Sequence, residues 1–115
     1  MMAKLYFTER YKRDLLRIYK TSLRDFGYGT AQKTMRQIRA VEARLREDEL
    51  IGKTDPEHHS HRFSFVSIRN SQKLFFEKDG DVIYMVTAGH DHRNWKVLLK
   101  GLERYTDEQI SKRKR

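Results

Sequence analysis

Two runs of β-prone residues, Lys73-Leu74-Phe75-Phe76-Glu77 and Val82-Ile83-Tyr84-Met85-Val86-Thr87, are joined only by Lys78-Asp79-Gly80-Asp81. Asp-Gly between such runs is the strongest short-range signal for a tight hairpin, because glycine readily enters the positive-φ conformations that a two-residue loop demands. The two runs must therefore lie side by side and antiparallel. A third β-branched and aromatic run, Phe63-Ser64-Phe65-Val66-Ser67-Ile68, precedes them, so three consecutive strands are expected as a meander.

The first half of the chain has a different period. After a short β-prone run, Lys4-Leu5-Tyr6-Phe7, Thr8 is placed to cap a helix beginning near Glu9. Leu15, Leu16, Ile18, Tyr19, Leu23 and Phe26 then recur at three- and four-residue spacing, with Arg10, Lys12, Arg13, Arg17, Lys20 and Arg24 over the remaining surface. Gly27 and Gly29 end this segment. Thr30 can cap a second helix with an apolar stripe of Ala31, Met35, Ile38, Val41 and Leu45. So short a connection makes the helices antiparallel neighbours, and residues 9 to 49 read as a helical hairpin seeking a partner surface.

Residues 51 to 62 hold Gly52, the only proline (Pro56) and His58, His59 and His61 without sustained periodicity, and they read as a solvated loop. Beyond the last strand, Trp95, Leu98, Leu99 and Leu102 fall at helical spacing. Thr106 with Gln109 matches a capping box for one more short turn of helix. Residues 106 to 115 are expected as a basic tail that frays. The order is strand, helix, helix, three strands, helix. It predicts an α+β fold in which an N-terminal strand and a helical hairpin pack on an antiparallel sheet, all 115 residues forming one domain.

Charge narrows the partners. Lys and Arg outnumber Asp and Glu by 25 to 16, a net +9 that attracts polyanions and speeds their capture. No stretch approaches 18 apolar residues and no helix joins a basic face to a strongly apolar one, so no membrane partner is expected. The chain has no Cys, which excludes disulfides and cysteine-based sites. Met1 to Phe7 is too short and too quickly charged for a secretory signal, and a cytoplasmic location is expected.

The run Leu74-Phe75-Phe76-Glu77-Lys78-Asp79-Gly80-Asp81 followed by Val82 to Ala88 and Gly89-His90 resembles the RelE/ParE superfamily of bacterial type II toxins, as does the basic first helix. Members similarly carry a hydrophobic strand, a short acidic turn and a second strand ending in Gly-His. The likeness covers roughly residues 3 to 100. It implies a growth-inhibiting toxin held in check by a cognate antitoxin, acting either on mRNA in the ribosome or on DNA gyrase. A nucleic-acid-binding relative without activity is a third reading, and a shared scaffold does not choose among them.

Cleavage of mRNA by attack of the ribose 2′-OH needs a base, an acid and cations around the phosphate. The resemblance places Lys73 where RelE-like toxins carry a penultimate-strand arginine, and His90, His92 and Arg93 at the end of the last strand. Arg69, just beyond the preceding strand, could supply a further positive charge. Trp95 stands where many relatives have Tyr. An indole does not titrate, so it serves either as core or as a stacking surface for a base, and a histidine must move the protons. Arg10, Arg13, Arg17, Lys20 and Arg24 either solvate the first helix or grip RNA. His61 is a further RNA-facing candidate, with His58 and His59 beside it. No cofactor and no metal are expected, since sequence-adjacent His90-Asp91-His92 lacks the helical spacing of catalytic zinc motifs.

Overall fold

The tight turn between the last two strands forms as expected, one residue further along. In the computed structural model, which describes residues 2–49, 52–69 and 72–114, β4 (Gln72–Asp79) pairs antiparallel with β5 (Val82–His90) and Asp79 sits opposite Val82. The loop is therefore Gly80-Asp81. Gly80 takes φ +64° at the first loop position, where a type II′ turn calls for glycine.

Before this hairpin come β1 (Lys4–Phe7), α1 (Glu9–Phe26), α2 (Tyr28–Arg46), β2 (Lys53–Asp55) and β3 (Ser60–Ile68); after it come α3 (Trp95–Gly101) and α4 (Glu103–Lys114). The strands form one sheet in the order β1-β5-β4-β3-β2. β1 runs parallel to β5, Leu5 beside Ile83 and Phe7 beside Met85, and the other pairings are antiparallel, so the sheet is mixed. Residues 53 to 55, expected within a loop, pair irregularly with β3 as a short edge strand.

Thr8 joins β1 to α1 in two ways. Its Oγ1 accepts from the Tyr11 N–H at 3.2 Å, capping the helix, and donates to the Met85 carbonyl at 2.9 Å, fixing the helix start on β5. At the far end, Gly27 in the left-handed region (φ +89°) both closes α1 and opens α2: its N–H donates to Leu23 O, and its own carbonyl accepts from Ala31 N. One residue thus reverses the chain. Thr30 is not the cap, because the helix has already begun at Tyr28. Between the helices, the buried Tyr11 hydroxyl donates to Glu42 at 2.7 Å, and Arg39 meets the other oxygen of that carboxylate at 2.7 Å. Burial, followed by the Glu42 charge, pushes the Tyr11 hydroxyl well above the usual tyrosine range.

Each face of the sheet carries a core. Tyr11, Leu15, Ile18, Ile38 and Leu45 of the hairpin pack on Leu74, Phe76, Ile83, Met85 and Ala88. Phe63, Phe75 and Val86 meet Trp95, Leu99 and Leu102 on the other side. Strand residues alternate between these layers, Leu74 to one and Phe75 to the other. β5 is covered on both faces and buried from Val82 to Gly89, which explains its nearly continuous apolar sequence. Trp95 is 1% exposed, its ring centroid 4.5 Å from that of Phe75. Burial of such a side chain contributes about 1.5–3 kcal/mol.

The C-terminal tail is helical to Lys114. Thr106 lies inside α4, its hydroxyl donating to Leu102 O at 2.7 Å, so it caps nothing. Arg62 of β3 reaches Asp107 at 2.6 Å and Glu103 O at 3.3 Å while also pairing with Glu77, and Lys114 meets Asp79 at 2.7 Å. These charges, distant in sequence, hold α4 against the hairpin turn and β3.

His59 departs from the solvated-loop expectation. It is 7% exposed and wedged edge-on against Phe65 and Phe75, with Lys73 Nζ 3.5 Å from its Nε2. Burial first, then the Lys73 charge, lowers its pKa below the ordinary value, while Asp55, 4.0 Å from Nδ1, opposes the shift. His58, also close in sequence, adds to the lowering.

Two outcomes follow from this packing. Asp14, 1% exposed on α1, accepts from the Thr87 hydroxyl and from the Ala88 N–H at 3.2 Å. Asp14→Ala leaves both donors buried and should lower unfolding free energy by about 2–3 kcal/mol in urea titrations, with Asp14→Asn losing less. Because the folded His59 resists protonation more than the unfolded chain does, the native state should lose stability as pH falls below about 6.5 and show no such effect above it. His59→Gln should flatten this acid-side slope; identical slopes in the two proteins would refute the assignment.

Candidate functional site

The last turn of β5 leaves the core at His90 and is locked there by backbone acceptors. His90 O accepts from Arg93 N at 3.3 Å and from the Trp95 indole N–H at 2.9 Å, and Asn94 caps α3 by accepting from Val97 N. The buried tryptophan thus fixes the turn that carries His90, Asp91, His92 and Arg93. Gly89 permits the close approach: a Cβ there would lie 3.1 Å from the Trp95 ring and from the Arg93 guanidinium.

His90 and His92 face one another with ring centroids 4.9 Å apart, and the His92 N–H donates to His90 Nδ1 at 3.2 Å. Arg93 lies 5.6 Å from the Trp95 ring centroid. His90 and Arg93 border a cleft of about 620 Å³ between the sheet end and the helical hairpin, whose other walls include Asp14, Arg17, Asp25, Thr30 and Gln72. Arg17 is half exposed and 3.2 Å from Asp14 Oδ1, while Arg10, one turn earlier, lies 3.4 Å from Oδ2. The cleft therefore presents a guanidinium on either side, with an imidazole at its rim. That set can neutralise a phosphate and exchange a proton.

The expected residues divide between two faces. His90, His92 and Arg93 come together, and Arg17 joins them across the cleft. Arg69 is exposed in the turn after β3, at the same sheet end, where Ile68, Gln72 and His90 form one cross-strand row. Lys73 is beside Gly89 in register, but its side chain goes to the other face, 5.4 Å from the Phe65 ring centroid and next to His59. It does not share the cleft with His90, because adjacent strand residues point to opposite sides. Trp95 has no ring face open for stacking on a base. On α1, Arg24 pairs with Asp25 at 2.8 Å, Lys12 with Glu9 at 3.3 Å, and Arg13 and Lys20 are exposed. His61 is exposed on β3, and His58 is exposed with its Nδ1 3.1 Å from Asp55.

Asp14, Thr87 and Gln72 were not foreseen. The signal for Asp14 was present: Tyr11, Asp14, Leu15 and Ile18 occupy one buried helical face, so a carboxylate stands where periodicity calls for an apolar residue. Among the described residues, no helix is long and apolar enough to cross a membrane.

Comparison with protein-family models and with curated proteins finds no match. Solved structures do resemble this chain. One, from the chromosomal ParDE TA system of P. aeruginosa, superposes with a TM-score of 0.64 at 18% identity, covering 77% of this chain and 96% of that one. Another, a mutant of the E. coli toxin RelE in the free state, gives a TM-score of 0.52 at 16% identity over 80% of this chain and 86% of that one. The chain thus has the RelE/ParE fold.

Proposed function

We propose that this chain is the toxin of a type II toxin-antitoxin pair, acting in the cytoplasm as a ribosome-dependent mRNA endonuclease. The grouping of His90 and Arg93 at the mouth of a cleft that Arg17 borders, with His92 against His90, is the observation that carries this reading. In the reaction the ribose 2′-oxygen attacks the adjacent phosphorus, the bond to the 5′-oxygen breaks, and a cyclic phosphate and a 5′-hydroxyl result. One histidine takes the 2′-OH proton and the other protonates the leaving oxygen, while Arg93 and Arg17 offset charge on the phosphate. Arg69 at the same sheet end extends this positive surface. The exposed Arg13, Lys20 and His61 contact ribosomal or messenger RNA, and the net +9 charge speeds that encounter. A cognate antitoxin neutralises the toxin, its acidic segments drawn to the same cations.

One observation favours a second reading. Trp95 is committed to the core, so the position at which the resemblance puts a titratable tyrosine supplies no acid or base. A gyrase inhibitor needs no such group, and its binding surface would be the basic α1–α2 hairpin.

Expression of the wild-type chain should arrest growth and leave new mRNA ends within codons only when ribosomes are present. His90→Ala combined with His92→Ala should lower cleavage by about 10²-fold or more without unfolding the protein. Arg93→Ala should also slow it. Intact transcripts during growth arrest, together with gyrase trapped on cleaved DNA by the purified protein, would transfer the assignment to the second reading.

A further inference from the structure

We propose that His90, Asp91 and His92 bind a divalent cation of the zinc class at the exposed end of β5. Among the described residues, this is the one group of three or more histidine and carboxylate side chains whose ligand atoms converge, all within 4.8 Å of one another. The tight turn fixed by Trp95 achieves what the sequence spacing did not suggest. By drawing Arg93 N and the indole N–H onto His90 O, it folds three consecutive residues back on themselves instead of letting their side chains alternate along a strand.

Distances and an unpartnered oxygen both suit a cation. Asp91 Oδ1 lies 3.3 Å from a nitrogen of His90 and 3.8 Å from one of His92. In a tetrahedral site with zinc bonds of about 2.0–2.2 Å, neighbouring ligand atoms stand about 3.3–3.6 Å apart, so small side-chain rotations complete the geometry. His90 Nδ1, the nitrogen nearest Asp91, accepts the backbone N–H of His92 at 3.2 Å, a hydrogen bond that an ion bound at this nitrogen replaces. Asp91 Oδ1 is sealed from solvent and receives no hydrogen bond. Asp91 Oδ1 thus lies beside two imidazole nitrogens without a hydrogen bond of its own, and a cation held among the three gives it a partner.

The donor set selects the ion. Two imidazoles and one carboxylate match Zn²⁺, whereas Mg²⁺ and Ca²⁺ require oxygen ligands. His90 and His92 are 49% and 85% exposed, so an ion can enter directly, and three protein ligands leave its fourth position open. Ligation also occupies the lone pairs that the proposed ribonuclease uses for proton transfer, making the ion an inhibitor. That consequence rests on the ribonuclease reading; the site itself does not.

The test is calorimetric titration of untagged, full-length protein with zinc chloride at neutral pH, with Co²⁺ absorption reporting coordination. Wild type should take up one ion per chain. Asp91→Asn, and His90→Ala with His92→Ala, should each weaken binding by about tenfold or more. His58→Ala with His61→Ala should bind as wild type does. These side chains lie outside the core, and unchanged circular dichroism confirms that the variants fold. A wild-type protein that takes up no zinc overturns the proposal, as does equal uptake after both His90 and His92 are removed. Cleavage assays with and without zinc are read separately: a chain that binds zinc here yet cuts no RNA loses the ribonuclease reading and keeps the site.

Discussion

The carboxylate of Asp14 sits almost out of contact with water at the place where the helical hairpin meets the end of β5. An unpartnered charge there would be strongly destabilising, and four groups answer it: the Thr87 hydroxyl, the Ala88 N–H, Arg10 and Arg17. Two of these belong to β5 and two to α1, so satisfying one charge sets the distance between helix and strand. Thr8 repeats the device one turn earlier with Met85. The cleft beside His90 opens beyond this joint, and its walls inherit their spacing from it. Arg17 is brought to the rim because the buried charge draws it there.

The large positive charge is organised locally. Arg39 answers Glu42, Arg24 answers Asp25, and Arg62 gathers Glu77, Asp107 and the Glu103 carbonyl. Several of these pairs are exposed and add little to stability, since water and salt screen them. Arg62 differs because it links β3, β4 and α4 through one planar fork. The remaining exposed cations keep the outer surface positive. The net charge of +9 over the whole chain favours the approach of a polyanion.

Much of the fold was legible locally. The hairpin at Gly80, the two helices, the cap at Thr8 and the helical spacing from Trp95 all depend on neighbours within a few residues, and each was read from turn chemistry or periodicity. The errors have a common origin. Thr30 and Thr106 are sound caps by composition, but the chain had already entered the helix at Gly27 and Glu103. His59 reads as solvent-facing among polar neighbours, yet Phe65 and Phe75 arrive from other strands to bury it. The tail reads as frayed from its basic composition, until Asp79, Glu77 and Arg62 are placed beside α4. In the candidate site, His90, His92 and Arg93 were visible as a string. Lys73 reads as their companion from the resemblance, but its side chain lies beside Phe65 and His59 on the other face, which strand alternation and register decide.

By itself, the sequence determined the elements and the balance of charge, because period, turn residues and caps act over a few residues and need no partner. Tertiary structure decided which groups meet. It set β1 parallel to β5, turned Lys73 away from His90, buried Trp95 as the lock of the turn and converged His90, Asp91 and His92 on one point. The physical reason is that contacts across a sheet or between layers join residues tens of positions apart, as Asp14 and Thr87 are joined. Their formation depends on the packing of the whole chain, which no local window contains.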